Sequence, residues 1–254
     1  MKIRVLGAFG SEALGQRPSA FLVNDKTLID GGSVGGALTL PEQLLIEHAL
    51  VSHTHLDHIA GLAYLTDMLG CTEDRSPLTI ASLAPVVDTL RSGVFNNVIW
   101  PDFTKIPHAD RPTVKLRALV EDAEQRVGDL WVTPVPVTHT VPAAGFIVHD
   151  GSAGLIYSGD TGPTEAIWKA ARGLSGIKAI ILECAFPNRL EDLAAVARHM
   201  TPALVHREMD KLPPDVPVLI FHVKPQFYEE TAEELALIPG NRLQILEQDK
   251  TYIL

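Results

Sequence analysis

Over the first thirty residues, short apolar runs at 3–6, 20–23 and 26–29 are separated by polar and glycine-rich breaks, the last being Asp30-Gly31-Gly32. Runs this short, bounded by turn residues, predict strands of a β-meander. The period then lengthens. Residues 41–49 predict a helix leading into the buried run Leu50-Val51-Ser52, and residues 59–69 place apolar side chains at helical spacing up to Gly70. Residues 78–82 predict a strand and 85–91 a helix, ahead of a less regular stretch over 93–126. The second half repeats this logic without repeating the sequence. Strands are predicted at 130–137, 144–149, 154–158, 179–183 and 216–222, and helices at 164–174, 190–200 and 202–212. Strands and helices interleave with no linker, low-complexity segment or short repeat. The expected fold is therefore α/β, a four-layer α/β/β/α sandwich of two mixed sheets with outer helices, in one domain spanning residues 1–254.

Composition narrows this picture. The chain has 254 residues, 46% of them hydrophobic, enough for one sizeable core. Lys and Arg number 21 against 31 Asp and Glu, a net charge of −10, which argues against a long phosphate backbone as partner. No apolar run reaches the roughly 18 residues needed to cross a bilayer, and residues 1–7 read as a strand rather than a secretory signal, so no membrane partner and a cytoplasmic location are expected. The two cysteines, Cys71 and Cys184, are too few for a disulfide framework and are both expected to be buried thiols.

The chemistry concentrates in Ser52-His53-Thr54-His55-Leu56-Asp57-His58, an HxHxDH run between a buried strand and a helix. Residues two apart in an extended segment point the same way, so His53 and His55 are placed to chelate one ion. Asp57 and His58, where the chain turns helical, face a second. Imidazole and carboxylate together suit zinc, manganese or iron. Further ligands belong in polar loops after strands, and three candidates end apolar runs: His139, Asp160 and His222. With Asp160 bridging, His53, His55 and His139 fall to one ion and Asp57, His58 and His222 to the other. His48, His108, His149 and His206 read as surface or local-structure residues.

These seven positions resemble the metallo-β-lactamase superfamily over nearly the whole chain. Within it, the chain is most similar to the class II 3′,5′-cyclic-nucleotide phosphodiesterases. The similarity runs through His53 to Leu62, Val94 to Phe103, Leu182-Glu183-Cys184-Ala185-Phe186-Pro187, His199-Met200-Thr201-Pro202 and His222-Val223-Lys224-Pro225. The resemblance implies the metallo-β-lactamase fold and a hydrolase that opens cAMP or cGMP to the 5′-monophosphate. It implies two divalent ions, zinc first with manganese or iron as alternatives, which generate a hydroxide for attack on phosphorus. Asp160 would bridge, Asp57 would bind and orient, and His199 supported by Glu183 would be the general acid, with helix capping and ligand support as their plainer roles. Asp30 is expected to orient the histidine loop by a hydrogen bond. Asn96 and Trp100 are candidates to line a nucleotide pocket, with a core role the competing reading for Trp100, and Cys184 reads as a packed thiol. The implied partner is a small cyclic nucleotide, in a chain that could form a homodimer. Glu183 and His199 are also similar to the tRNase Z-like nucleases, so such a nuclease or another small phosphodiesterase is the competing enzyme. A di-iron redox protein of the same fold and a non-catalytic metal-binding scaffold are the remaining classes, and the scaffold sits poorly with a ligand set lacking cysteine.

Overall fold

In the computed structural model residues 1–72 and 75–254 are described. The first sheet opens with the expected meander, β1 (Lys2–Gly7), β2 (Ala20–Val23) and β3 (Thr27–Gly31), paired antiparallel. It continues in parallel through β4 (His48–Leu50) and β5 (Leu78–Leu83). Past a two-strand ribbon, β6 (Pro107–His108) and β7 (Arg111–Pro112), the strand β8 (Val114–Leu119) adds in parallel to β5 and forms one edge. The second sheet starts antiparallel with β9 (Gln125–Val127), β10 (Leu130–Pro136), β11 (Ala144–His149) and β12 (Gly154–Tyr157). It ends parallel with β13 (Ile177–Glu183), β14 (Val218–Phe221) and β15 (Leu243–Ile245). The last strand, β16 (Thr251–Ile253), returns to pair with β1.

Side-chain alternation explains the layers. In β12, Leu155 and Tyr157 point into a core shared with Phe21, Leu50 and Ile80 of the first sheet, whereas Ile156 points the other way. That outer face is covered by Ile167 and Trp168 of α4 (Ala166–Ala171), Leu204 and Val205 of α6 (Pro202–Met209) and Leu235 of α7 (Tyr228–Ala236). Strands buried on both faces read as continuous apolar runs, as these do. On the first sheet, α2 (Leu56–Gly70) inserts Ile59, Leu62 and Leu65. The two mixed sheets with outer helices are the α/β sandwich expected.

Several elements differ from the polarity pattern. The helix expected over 41–49 is one turn, α1 (Leu40–Leu44), and His48–Leu50 is instead β4, held between β3 and β5 by two ladders. The helix expected over 85–91 is α3 (Ala84–Thr89) continued by a π-helical turn, Leu90–Val94. The helix expected over 190–200 stops as α5 (Glu191–Ala197), because Arg198 turns left-handed at φ 55°. The irregular stretch over 93–126 contains β8, and beyond His222, where the pattern carried no expectation, lie α7, β15 and β16. Cys184 is buried as expected, with burial pushing its thiol pKa up, but Cys71 is exposed just past the end of α2. Among the described residues no helix is long and apolar enough to cross a membrane.

Candidate metal centre

Parallel strands end on the same side of a sheet, so the loops that follow them converge. The HxHxDH loop follows β4, His139 follows β10, Asp160 follows β12, and His222 follows β14. Among the described residues, three groups each bring their ligand atoms within 4.8 Å of one another: His53, His55, His139 and Asp160; Asp57, His58 and His222; and Asp160, His199 and His222. The first two groups are the partition drawn from the sequence, and Asp160 also touches the second. Its Oδ2 lies 3.6 Å from His53 Nε2, 3.2 Å from His58 Nε2 and 3.0 Å from His222 Nε2. His222 Nε2 is also 3.3 Å from Asp57 Oδ2, and His139 Nε2 is 3.2 Å from His55 Nδ1.

The donor set fits cations. Among the described residues, the Nε2 atoms of His53 and His58 and Oδ1 of Asp160 are buried without a hydrogen-bond partner, a costly arrangement unless a cation satisfies them. Packing disfavours protons on His53, His55 and His139, whereas at His58 burial is outweighed by the carboxylates of Asp160 and Asp30, which raise the pKa, so that a cation would displace a proton there. Burial, together with the neighbouring His58, holds His53 well below the usual histidine pKa, and burial brings His139 down to about 4. Imidazoles must be neutral to ligate. Burial alone would raise the two carboxylates, but the surrounding imidazoles, His222 first, hold both Asp57 and Asp160 below the usual range.

A second layer fixes these groups. Asp30, buried at the end of β3 with a left-handed φ of 53°, accepts from Ser52 N (2.7 Å) and Ser52 Oγ (2.7 Å), from Tyr157 Oη (2.5 Å) and from His58 Nδ1 (2.7 Å). Holding Nδ1 of His58 aims its Nε2 into the cluster, the orienting role expected of Asp30. His222 is also left-handed, at φ 71°, and its backbone passes so close to Gly10 that a Cβ there would lie 2.4 Å from the His222 carbonyl oxygen. Gly10 is thus needed for His222 to reach the site. Lys224 donates to the Gly10 carbonyl and lies 3.8 Å from Asp57 Oδ2, bringing a cation to the rim.

Glu183, at the end of β13, is fully buried. It accepts from His199 Nδ1 at 2.7 Å, from Thr161 N at 2.9 Å and from Met200 N at 3.2 Å. Burial disfavours a charged His199, but the adjoining carboxylate outweighs it and raises its pKa. The His199 ring stacks on His222 at 5.1 Å.

Asn96, a candidate for the nucleotide pocket, spends its side chain on its own turn, accepting from Val98 N and Ile99 N and donating to Ser92 O. Trp100 packs edge-on against Tyr64 and against the main core. Of the histidines set aside, His149 pairs with Glu124, while His48 is half-buried with an Nδ1 that has no partner among the described residues. Sequence reasoning passed over Tyr157 and Arg198, which act at this site through partners distant in the chain: Tyr157 on Asp30, and Arg198 Nη1 on the His139 carbonyl at 2.5 Å.

A family model described as "Beta-lactamase superfamily domain" matches residues 37–222. A Yersinia pestis protein named "Probable 3′,5′-cyclic-nucleotide phosphodiesterase" is 28% identical over 212 residues, 72% of this chain. The match covers 59% of that relative, so the chain spans well under two thirds of its length. A ribonuclease Z of Halorubrum lacusprofundi is 35% identical over 86 residues, covering 32% of this chain and 28% of that protein. Among solved structures, unliganded yeast PDE1 superposes with a TM-score of 0.83 at 20% identity, covering 100% of this chain and 99% of that one, a likeness of fold.

Proposed function

This chain belongs to the beta-lactamase superfamily, and on that footing we propose that its histidine and aspartate cluster holds two divalent cations and hydrolyses a 3′,5′-cyclic nucleotide, cAMP or cGMP, to the 5′-monophosphate. The observation that carries this reading is the convergence of seven side chains from four loops, with buried imidazole nitrogens left unpaired. His53, His55 and His139 would hold one ion, Asp57, His58 and His222 the other, and Asp160 would bridge them. Zinc suits these donors best, and manganese or iron accept the same set. When bound, the ions neutralise charge on the phosphoryl oxygens and acidify water.

The remaining work falls to the chain itself. His199 donates Nδ1–H to Glu183, which leaves Nε2 to deliver a proton to O3′ as the P–O3′ bond breaks. Asp57, held by His222 and flanked by the Lys224 cation, keeps a fixed carboxylate at the mouth of the cluster.

The test is hydrolysis of cAMP, cGMP and 2′,3′-cyclic AMP by purified protein, with and without Zn²⁺, Mn²⁺ and Fe²⁺. Metal-dependent formation of 5′-monophosphate is expected, and no turnover with any metal would overturn the reading. A ribonuclease Z-like activity is supported by the 86-residue match and the Glu183–His199 pair, so precursor tRNA belongs in the same assay. The net charge of −10 favours the small substrate.

A further inference from the structure

Beside the metal centre, and sharing His139 with it, lies a cleft of about 540 Å³. Its walls are apolar side chains at strand ends: Leu83 of β5, Leu119 of β8, and Val141 and Pro142 in the loop after His139. Two charged side chains also line it, Arg198 and the exposed Glu121. They carry opposite signs, yet among the described residues they form no ion pair with each other. Arg198 gives Nη1 to the His139 carbonyl, and its Nε and Nη2 have no partner among the described residues.

We propose that this cleft seats the base of the cyclic nucleotide and selects guanine, an assignment that rests on the phosphodiesterase reading above. A cleft of this size, mostly apolar with a few polar groups, has the usual character of a small-molecule site. Its apolar lining suits the faces of a purine, and the shared His139 places the cleft next to the proposed phosphate site. Guanine offers acceptors at N7 and O6, which suit a guanidinium, and N–H donors at N1 and N2, which suit a carboxylate. Arg198 and Glu121 supply those two groups from one cleft. Adenine turns an amino donor toward Arg198 where guanine has O6, and offers Glu121 no N1–H. A discrimination of about tenfold or more is the scale of one such paired contact.

The experiment measures kcat/KM for cGMP and cAMP, and dissociation constants for GMP and AMP, in the metal-loaded wild type, Glu121→Gln and Arg198→Met. The expected wild-type ratio of cGMP to cAMP is about tenfold or more, falling toward unity in each variant, with GMP binding weakened far more than AMP binding. Glu121 is exposed, so its variant stays readable even if Arg198→Met disturbs His139. Equal kcat/KM for the two nucleotides, or a ratio that survives both substitutions, would overturn the base assignment while leaving the reaction intact. Preferential GMP binding without hydrolysis of either nucleotide would do the reverse.

Discussion

The pair formed by His199 and Glu183 separates proton transfer from metal binding. If His199 delivers a proton, His199→Ala lowers kcat by about 10²- to 10⁴-fold while metal content, read by atomic emission, stays at the wild-type level. Loss of metal in parallel would instead place His199 among the ligands, as its closeness to Asp160 and His222 allows. Asp30 is tested differently, since it reaches the cluster only through the far nitrogen of His58 and through Ser52 and Tyr157. Asp30→Ala leaves His58 Nδ1 and Tyr157 Oη buried without their acceptor, and metal affinity in a chelator competition is expected to fall by about 10- to 100-fold. Unchanged affinity would show that Asp30 holds only the fold. The HxHxDH loop is legible in the sequence because its ligand spacing is local. Asp160 and His222 are legible because a polar residue ending an apolar run stands out. Tyr157 is not, for its hydroxyl meets a carboxylate 127 residues away and nothing local marks it.

At the level of elements, α2 carries Asp57 and His58, and its distance from the first sheet sets where they stand. Gly61 allows that distance: a Cβ there would lie 2.6 Å from Val34 N and 2.9 Å from the Gly31 carbonyl oxygen. Gly61→Ala therefore pushes the helix off β3, and a stability loss of about 1–3 kcal/mol is expected in urea denaturation, together with a fall in turnover. A variant with normal values would show that the helix has slack. The strand β4 carries a second test, remote from the cluster. Burial lowers the His48 pKa below its ordinary 6.5, although Glu47 and Asp129 act in the opposite direction. The unfolded chain thus takes up this proton more readily, so the contribution is present above pH 6.5 and is lost as pH falls through the folded value. His48→Gln should flatten the stability profile between about pH 7 and 5, and an unchanged slope would exclude His48 as its source. Local pattern says least about elements this short. Three residues of β4 sit where local pattern favours helix, and only the ladders to β3 and β5 decide otherwise. In β8 the exposed Lys115 and Arg117 break the apolar run, as suits an edge strand.

Across the whole molecule, the first sheet is built from the earlier half of the chain and the second from the later half, with β16 crossing back. A cluster of buried imidazoles and carboxylates without cations is a weak point in such a body, so metal should stabilise it globally. At zinc about 100-fold above its dissociation constant the gain is about 2.7 kcal/mol. For a domain of this size that corresponds to a melting temperature higher by about 5–10 °C, read by calorimetry against a chelator-treated sample. No shift would argue that the cluster takes up no ion. His53, His55, Asp57 and His58 ride on the first sheet, and His139, Asp160 and His222 on the second, so any ion held here acts as a clasp between two separately wound leaves. Cut between β8 and β9, the two fragments would carry complementary fractions of both coordination spheres, and zinc would become the coupling agent that drives their reunion.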